Sequence, residues 1–317
     1  FMIRRAEPAA EGDLFDTSAA LNVPGHAASV NDTARMLAGL PALTGNDAYP
    51  EVRASAGWTA HRTRLDELWR DYEARHRQPI RSWAAREMGD LQNAGSLFYP
   101  FGGPDFLFAE AFFPRAESVV LVGLEPAEPL PQLSSLTGAD IASGLSGLQN
   151  SLKTVMQFSF FITKDLRTDL QATRFRGVLP VILVFLSRSG HAVESVDGIR
   201  LDAAGNPVLA QAGAGATGLL IRARSPFGRS KRIFYLKQDL SNASIRPGVP
   251  LLNFVSRMGR PPAFTKSASY LMHEESFSAI RDYILENCRG IVQDPSGIPY
   301  ADLVKSGLDL RLYGSYQ

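Results

Sequence analysis

Apolar residues recur at three- and four-residue steps from 58 to 77, "WTAHRTRLDELWRDYEARHR", with Trp58, His61, Leu65, Leu68, Trp69 and Tyr72 on one stripe and Arg, Asp and Glu opposite. This periodicity predicts an amphipathic helix. A second helix follows over 79–95, "PIRSWAAREMGDLQNAG", opened by Pro79 and closed near Gly95. The pattern then changes. "SLFYPF" (96–101) is a short apolar run, "FLFAEAFFP" (106–114) is apolar on most faces and ended by Pro114, and "SVVLVGLEP" (118–126) is a β-branched strand stopped by a proline-rich segment. Strand, glycine turn, helix, strand is the order of the first half of a doubly wound sheet.

Further along, Leu145, Leu148, Leu152, Val155 and Met156 predict a helix within 139–171, with "FSFFITKDL" (158–166) adding an aromatic run. "VLPVILVFL" (178–186) has the length of a buried strand. Residues 190–240 read as short strands joined by Gly, Asn and Pro turns, which predicts antiparallel hairpins. There Arg222, Arg224, Arg229, Lys231 and Arg232 alternate with Leu220, Ile221, Ile233 and Tyr235, the pattern of a solvated hairpin face. "FTKSASYLM" (264–272) returns to strand-like texture. "ESFSAIRDYILENC" (275–288) is a helix with Phe277, Ile280, Ile284 and Cys288 on one stripe, and "GIVQDPSGIP" (290–299) is strand then turn.

These elements predict a Rossmann-like α/β fold: a mainly parallel sheet, helices on both faces and an antiparallel excursion at 190–240. One domain would span 51–317, with 51–95 as a helical lead-in. The first 50 residues, rich in Ala, Gly, Pro and Asp, read as a flexible or irregular segment.

Composition narrows the function classes. Over 317 residues the formal charge is +1 and no basic block appears, which argues against nucleic acid as a partner. Cys288 is the only cysteine, excluding an internal disulfide and a cysteine-rich metal site. No apolar run has the length of a membrane span, so no integral membrane segment is expected. The compartment stays open between the cytoplasm and export after removal of a signal, and the oligomeric state stays open too.

The chemistry centres on "FYPFGGPDFLFAEAFFP" (98–114), where an apolar segment stops for two glycines, a proline and an acid and then resumes. Paired glycines at a strand's carboxyl end let the backbone turn sharply and a ligand approach, and Pro104 suits a first helical position. Asp105 in that first turn repels phosphate and already complements the helix dipole. This stretch carries neither GxGxxG nor GxxxxGK[ST]. Glu125 ends the next strand at the spacing from which an acid reaches ribose hydroxyls. Two acids and two glycines suit a ligand with a ribose and a positive group. The bland alternative is that Gly102 to Asp105 only form a well-capped turn.

The front half of the chain is similar to S-adenosylmethionine-dependent methyltransferases, but departs from their acid before the glycines, where Tyr99, Pro100 and Phe101 stand, and from their G-x-G spacing. That resemblance implies S-adenosylmethionine as a candidate cofactor, with Glu125 on its ribose. "FYPFGGPDFLFAEAFFP", "LVGLEP", "SASYLMH", "IVQDPSGIP" and "LYGSY" together resemble a family of bacterial proteins of unknown function, some apparently exported or lipid-anchored. Tyr99, Gly102, Gly103, Asp105, Glu125, Gln293 and Gly297 are the candidate ligand-binding residues of these segments. His273 with Asp294 is the candidate catalytic pair, a base and its orienter. GxSxG, HExxH and DxDxDG signatures are missing. The expected function is small-molecule binding at the strand carboxyl ends, methyltransferase-like in its nucleoside recognition. The alternative is a non-catalytic, exported ligand- or partner-binding protein. Convergence of Asp105, Glu125, His273 and Asp294 on one pocket would favour catalysis.

Overall fold

The computed structural model describes residues 26–43, 47–129, 133, 136–158, 175–210 and 215–314. Its helical lead-in comprises α1 (His26–Leu37), α2 (Pro50–Ala54), α3 (Ala56–Tyr72) and α4 (Gln78–Glu87). Within the first 50 residues, α1 is regular where an irregular segment is expected, and its Ala34, Met36 and Leu37 are wholly buried in the main core; residues 1–25 and 44–46 lie outside the described ones. Between α3 and α4 the chain stays helical through a π-type turn, Glu73–Arg77. Pro79 accounts for it. Proline lacks an N–H and its ring clashes with the carbonyl four residues back, and a wider turn relieves both.

Strands β1 (Ser96–Tyr99) and β2 (Ser118–Gly123) pair in parallel, Leu97 with Val119 and Tyr99 with Leu121. Alternate residues go to opposite faces. Leu97, Tyr99, Val119 and Leu121 enter one apolar core, and Phe98, Val120 and Val122 enter another. A strand covered on both sides must be apolar throughout, as these are. Helix α5 (Phe106–Phe112) joins them and is buried along its whole length; its one charged residue, Glu110, pairs with Arg81 at 3.0 Å and Arg77 at 3.4 Å.

After β2 come α6 (Gly138–Phe158) and α7 (Leu179–Arg188). Leu145, Leu148, Leu152, Val155 and Met156 of α6 are buried as expected. The aromatic run beyond Phe158 lies outside the described residues. Helix α7 overturns the strand expected at 178–186. An apolar run with no gaps carries no period to tell a buried helix from a buried strand. Pro180, in the first turn of α7, fits a helix start, whereas in a central strand it would remove a ladder hydrogen bond.

The remaining strands are β3 (Ala192–Leu201), β4 (Pro207–Leu209), β5 (Gly218–Arg224), β6 (Ser230–Lys237), β7 (Ala263–Thr265), β8 (Gly290–Gln293) and β9 (Asp309–Leu312). They complete one sheet in the order β4-β3-β5-β6-β2-β1-β7-β8-β9. From β6 to β9 every neighbouring pair is parallel, and β6-β2-β1-β7-β8-β9 occupies the 3-2-1-4-5-6 order of the Rossmann arrangement. Strands β3, β4 and β5 extend the sheet antiparallel. Arg224 on this extension pairs with Glu194 at 2.8 Å, as a solvated hairpin face should. Lys231 departs from that face: it is buried, donates to the carbonyl of Pro114 at 3.2 Å and lies over the Phe106 ring. The helices α8 (Pro250–Ser256), α9 (Ser278–Asn287) and α10 (Tyr300–Ser306) cover the face opposite α5. Cys288 is buried there, and burial pushes its thiol up to about 12. The strand expected over 264–272 ends at Thr265, because Ser267 adopts a left-handed φ of 58° and opens a 3-10 turn, Ser267–His273. No helix among the described residues is long and apolar enough to cross a membrane.

His61 fastens three helices. Its Nε2 lies 2.8 Å from the Leu37 carbonyl at the end of α1, which only accepts, so Nε2 donates; Nδ1 then accepts from the Gln149 amide of α6 at 2.9 Å. Protonating Nδ1 would set donor against donor in a buried place near Arg188, and burial lowers the imidazole pKa from 6.5 to about 4. The folded state therefore binds fewer protons than the unfolded chain between these values, so stability falls as pH drops from 6.5 towards 4. The loss should approach about 3 kcal/mol at most. Thermal melts across this range should show the fall in wild type and a flatter profile in His61→Gln; an equal slope in both would refute the assignment.

Candidate functional site

At the end of β1 the chain turns through Phe101, which has a left-handed φ of 60°, and Gly103, with φ of 52°. Such a φ strains a phenylalanine and costs glycine little. A Cβ on Gly102 would lie 2.7 Å from the Tyr99 ring, so the ring packs flat against the bare backbone. Gly103 N–H donates to the Val122 carbonyl at 2.9 Å. A Cβ on Gly123 would fall 2.5 Å from Glu125 Oε2, 2.8 Å from Gly103 Cα and 2.9 Å from the Tyr235 hydroxyl. The two strand ends meet this closely only because neither glycine has a side chain.

Asp105 is the N-cap of α5. Its Oδ1 accepts from Phe108 N–H at 3.1 Å, and its Oδ2 accepts from the Tyr99 hydroxyl at 2.9 Å. Lys266, immediately after β7, places Nζ 3.6 Å from the same Oδ2 and 4.0 Å from the centre of the Phe108 ring. All are buried. Burial raises the Asp105 carboxyl and lowers the Lys266 ammonium, and the charge of each opposes the shift of the other.

Glu125, buried just beyond β2, uses one oxygen: Oε2 accepts from Leu124 N–H and from the Tyr235 hydroxyl, both at 3.1 Å. The same hydroxyl lies 2.8 Å from the Glu125 carbonyl oxygen. Burial and this carboxylate push the Tyr235 phenol far above its ordinary pKa. The second oxygen, Oε1, accepts no hydrogen bond among the described residues.

These groups line a cleft of about 160 Å³. Tyr99, Gly102, Gly103, Asp105 and Glu125 form one side; Gln238, Asp239 and Leu240 follow β6 on another; Ser267, Ala268 and Leu271 come from the 3-10 turn after β7, with Phe277 beside them. Asp239 accepts from Ser241 N–H at 2.9 Å and from the Ser241 and Ser244 hydroxyls at 2.8 Å, which holds its carboxyl below the usual range. No Lys, Arg or His is among the lining residues. The cleft opens at the carboxyl ends of the parallel strands, where β1 lies between β2 and β7 and the strand order reverses. Ligand crevices of open α/β sheets form at this position.

The structure thus brings Tyr99, Gly102, Gly103, Asp105 and Glu125 together and leaves four other candidates outside the cleft. Gln293 brackets the backbone of Ile298, accepting from its N–H at 2.9 Å and donating to its carbonyl at 3.0 Å. Gly297 lies against that amide, where a Cβ would come within 2.3 Å of Gln293 Oε1. His273 Nε2 donates to the Gly297 carbonyl at 2.8 Å, and Asp294 Oδ1 accepts from Ser296 N–H at 2.9 Å. No hydrogen bond joins His273 to Asp294. The two hold the loop after β8; Asp294 also borders a separate aromatic cavity of about 140 Å³ that includes Phe108, Lys266 and Tyr313. Tyr235, Gln238, Asp239, Phe101 and Phe277 escape the sequence reading. A signal for the first three was present in "FYLKQD" (234–239), an acid directly after a buried strand, as Glu125 is.

In comparisons with known proteins, no family model, curated protein or solved structure matches the chain.

Asp105→Ala removes a helix cap and leaves Lys266 without its nearest carboxylate. Breaking a buried pair in this way costs roughly 3–5 kcal/mol, while Asp105→Asn keeps the cap and should cost less. Urea unfolding should rank wild type above Asp105→Asn above Asp105→Ala; an Asp105→Ala protein as stable as wild type would show that Asp105 does not hold this corner.

Proposed function

We propose that the protein binds a compact, positively charged small molecule in this cleft, with Glu125 as its hydrogen-bond acceptor. The observation that carries the reading is the buried Glu125 carboxylate with one oxygen left unbonded among the described residues. That oxygen faces the cleft and is not among the buried atoms without a partner, so it is open to a charged donor, and a charge-assisted hydrogen bond in a partly desolvated place is among the strong ones. Asp239 on the rim adds negative charge, and no lining side chain offsets it. Gly102 and Gly103 leave room for close approach. The N-terminus of α5 is already occupied by Asp105, which disfavours phosphate there.

S-adenosylmethionine is a specific candidate: its ribose hydroxyls are donors to Glu125 and its sulfonium suits the acidic surroundings. The cleft is smaller than the roughly 300–1,000 Å³ that enclose a drug-sized ligand, so only part of such a molecule would be enclosed. Non-catalytic binding is the second reading, favoured by the position of His273 and Asp294 away from the cleft.

Glu125→Gln tests the reading cleanly, because glutamine retains an oxygen for Leu124 N–H and Tyr235 while losing the charge. Binding should weaken by about 1.5–3 kcal/mol with little change in melting temperature. Calorimetry with S-adenosylmethionine, S-adenosylhomocysteine, adenosine and short alkylamines is the measurement. No heat from any of them at millimolar concentration, with the protein folded, ends this reading.

A further inference from the structure

The lips of the cleft are apolar although its interior is acidic. Leu124 lines the cleft directly before Glu125 and is nevertheless 58% exposed. On the other side, Ser267, Ala268 and Leu271 of the 3-10 turn line the cleft, and Leu271 is half-buried. A cavity of about 160 Å³ with a carboxylate at its side, and a leucine on each lip, Leu124 and Leu271, fits the end of a molecule better than a whole one.

We propose that the natural ligand is a dissolved amphiphilic cation, a long-chain amine or amino alcohol. Its ammonium head sits in the cleft against Glu125 and its hydrocarbon tail lies across Leu124 and Leu271. This rests on the cleft being a cation site, as proposed above. Three features select that class. The acids reject a carboxylate or phosphate next to the amine, which sets aside phospholipid head groups. The small interior admits an ammonium with a few carbons or a hydroxyl. The apolar lips gain only from a ligand that continues as hydrocarbon, since a small hydrophilic cation would leave them in water.

The test is calorimetry of n-alkylammonium ions from methyl to octyl against wild type, Glu125→Gln and a Leu124→Ser/Leu271→Ser double variant. Leu124 is exposed and Leu271 half-buried, so the double variant should fold, its melting temperature verifies this, and Leu124→Ser alone replaces it if it does not. In wild type the affinity should rise roughly two- to fourfold per added methylene. The double variant should bind the shortest amines as wild type does and lose the chain-length gain. Octanol should bind wild type about tenfold or more weakly than octylamine, because it lacks the charge that Glu125 receives. A flat chain-length profile, or an undiminished one in the double variant, overturns the amphiphile and leaves the cation site standing. Binding only to vesicles doped with octadecylamine, with no response to dissolved amines, overturns it as well. If adenosine or S-adenosylmethionine binds while no alkylamine does, the amphiphile fails and the cleft remains a ligand site; if nothing binds, both proposals fail together.

Discussion

The carboxylate of Asp105 ties three separate parts of the chain to one point. It caps α5, accepts from Tyr99 at the end of β1 and pairs with Lys266 just after β7. A carboxylate buried this deeply needs charge and hydrogen-bond partners, or its desolvation would outweigh any packing gain. Its partners come from the two strands that flank the reversal of strand order, so satisfying Asp105 also fixes where the ends of β1 and β7 stand. The acid after "GGP" therefore closes the helix N-terminus that phosphate-binding sheets leave open, and the free chemistry moves one strand over, to Glu125.

Glu125 reaches its position through backbone that only glycine permits. Gly103 and Gly123 press together, and Tyr235 reaches in from β6 to the same carboxylate. Strand β6 takes the third parallel place after an antiparallel detour through β3, β4 and β5, with no strand-helix-strand crossover leading directly to it. The detour has a chemical consequence. It aims the residues that follow β6, Gln238, Asp239 and Leu240, over the ends of β1 and β2, and the cleft gains an acidic second wall.

Local pattern carried the front of the fold, and long-range packing decided the rest. β1, α5 and β2 were legible because period, glycine turn and proline agreed over a short span, and the same stretch supplied Tyr99, Gly102, Gly103, Asp105 and Glu125. Helix α7 was misread because a wholly buried element has no polar face to reveal its period. Gln293 and Gly297 stand among the candidates as members of the family-like segments, yet the group that approaches Gly297 is the chain's own Gln293 amide. Nothing local distinguishes that from a ligand. The contribution of Tyr235 depends on β6 lying beside β2, a pairing between residues more than a hundred positions apart.

Charge compensation separates the cleft from the other buried polar corners. Lys266 pairs with Asp105, Arg77 and Arg81 pair with Glu110, and Lys231 donates to a carbonyl above an aromatic ring. Each of these charges meets a partner from a different element, which is how a folded core accommodates ions. Glu125 has hydrogen-bond donors on one oxygen only, and neither donor is a cation. A fold that pairs Asp105 and Glu110 with cations, and yet leaves the Glu125 carboxylate beside an open cleft with no cation on it among the described residues, puts that carboxylate where an incoming cation can reach it.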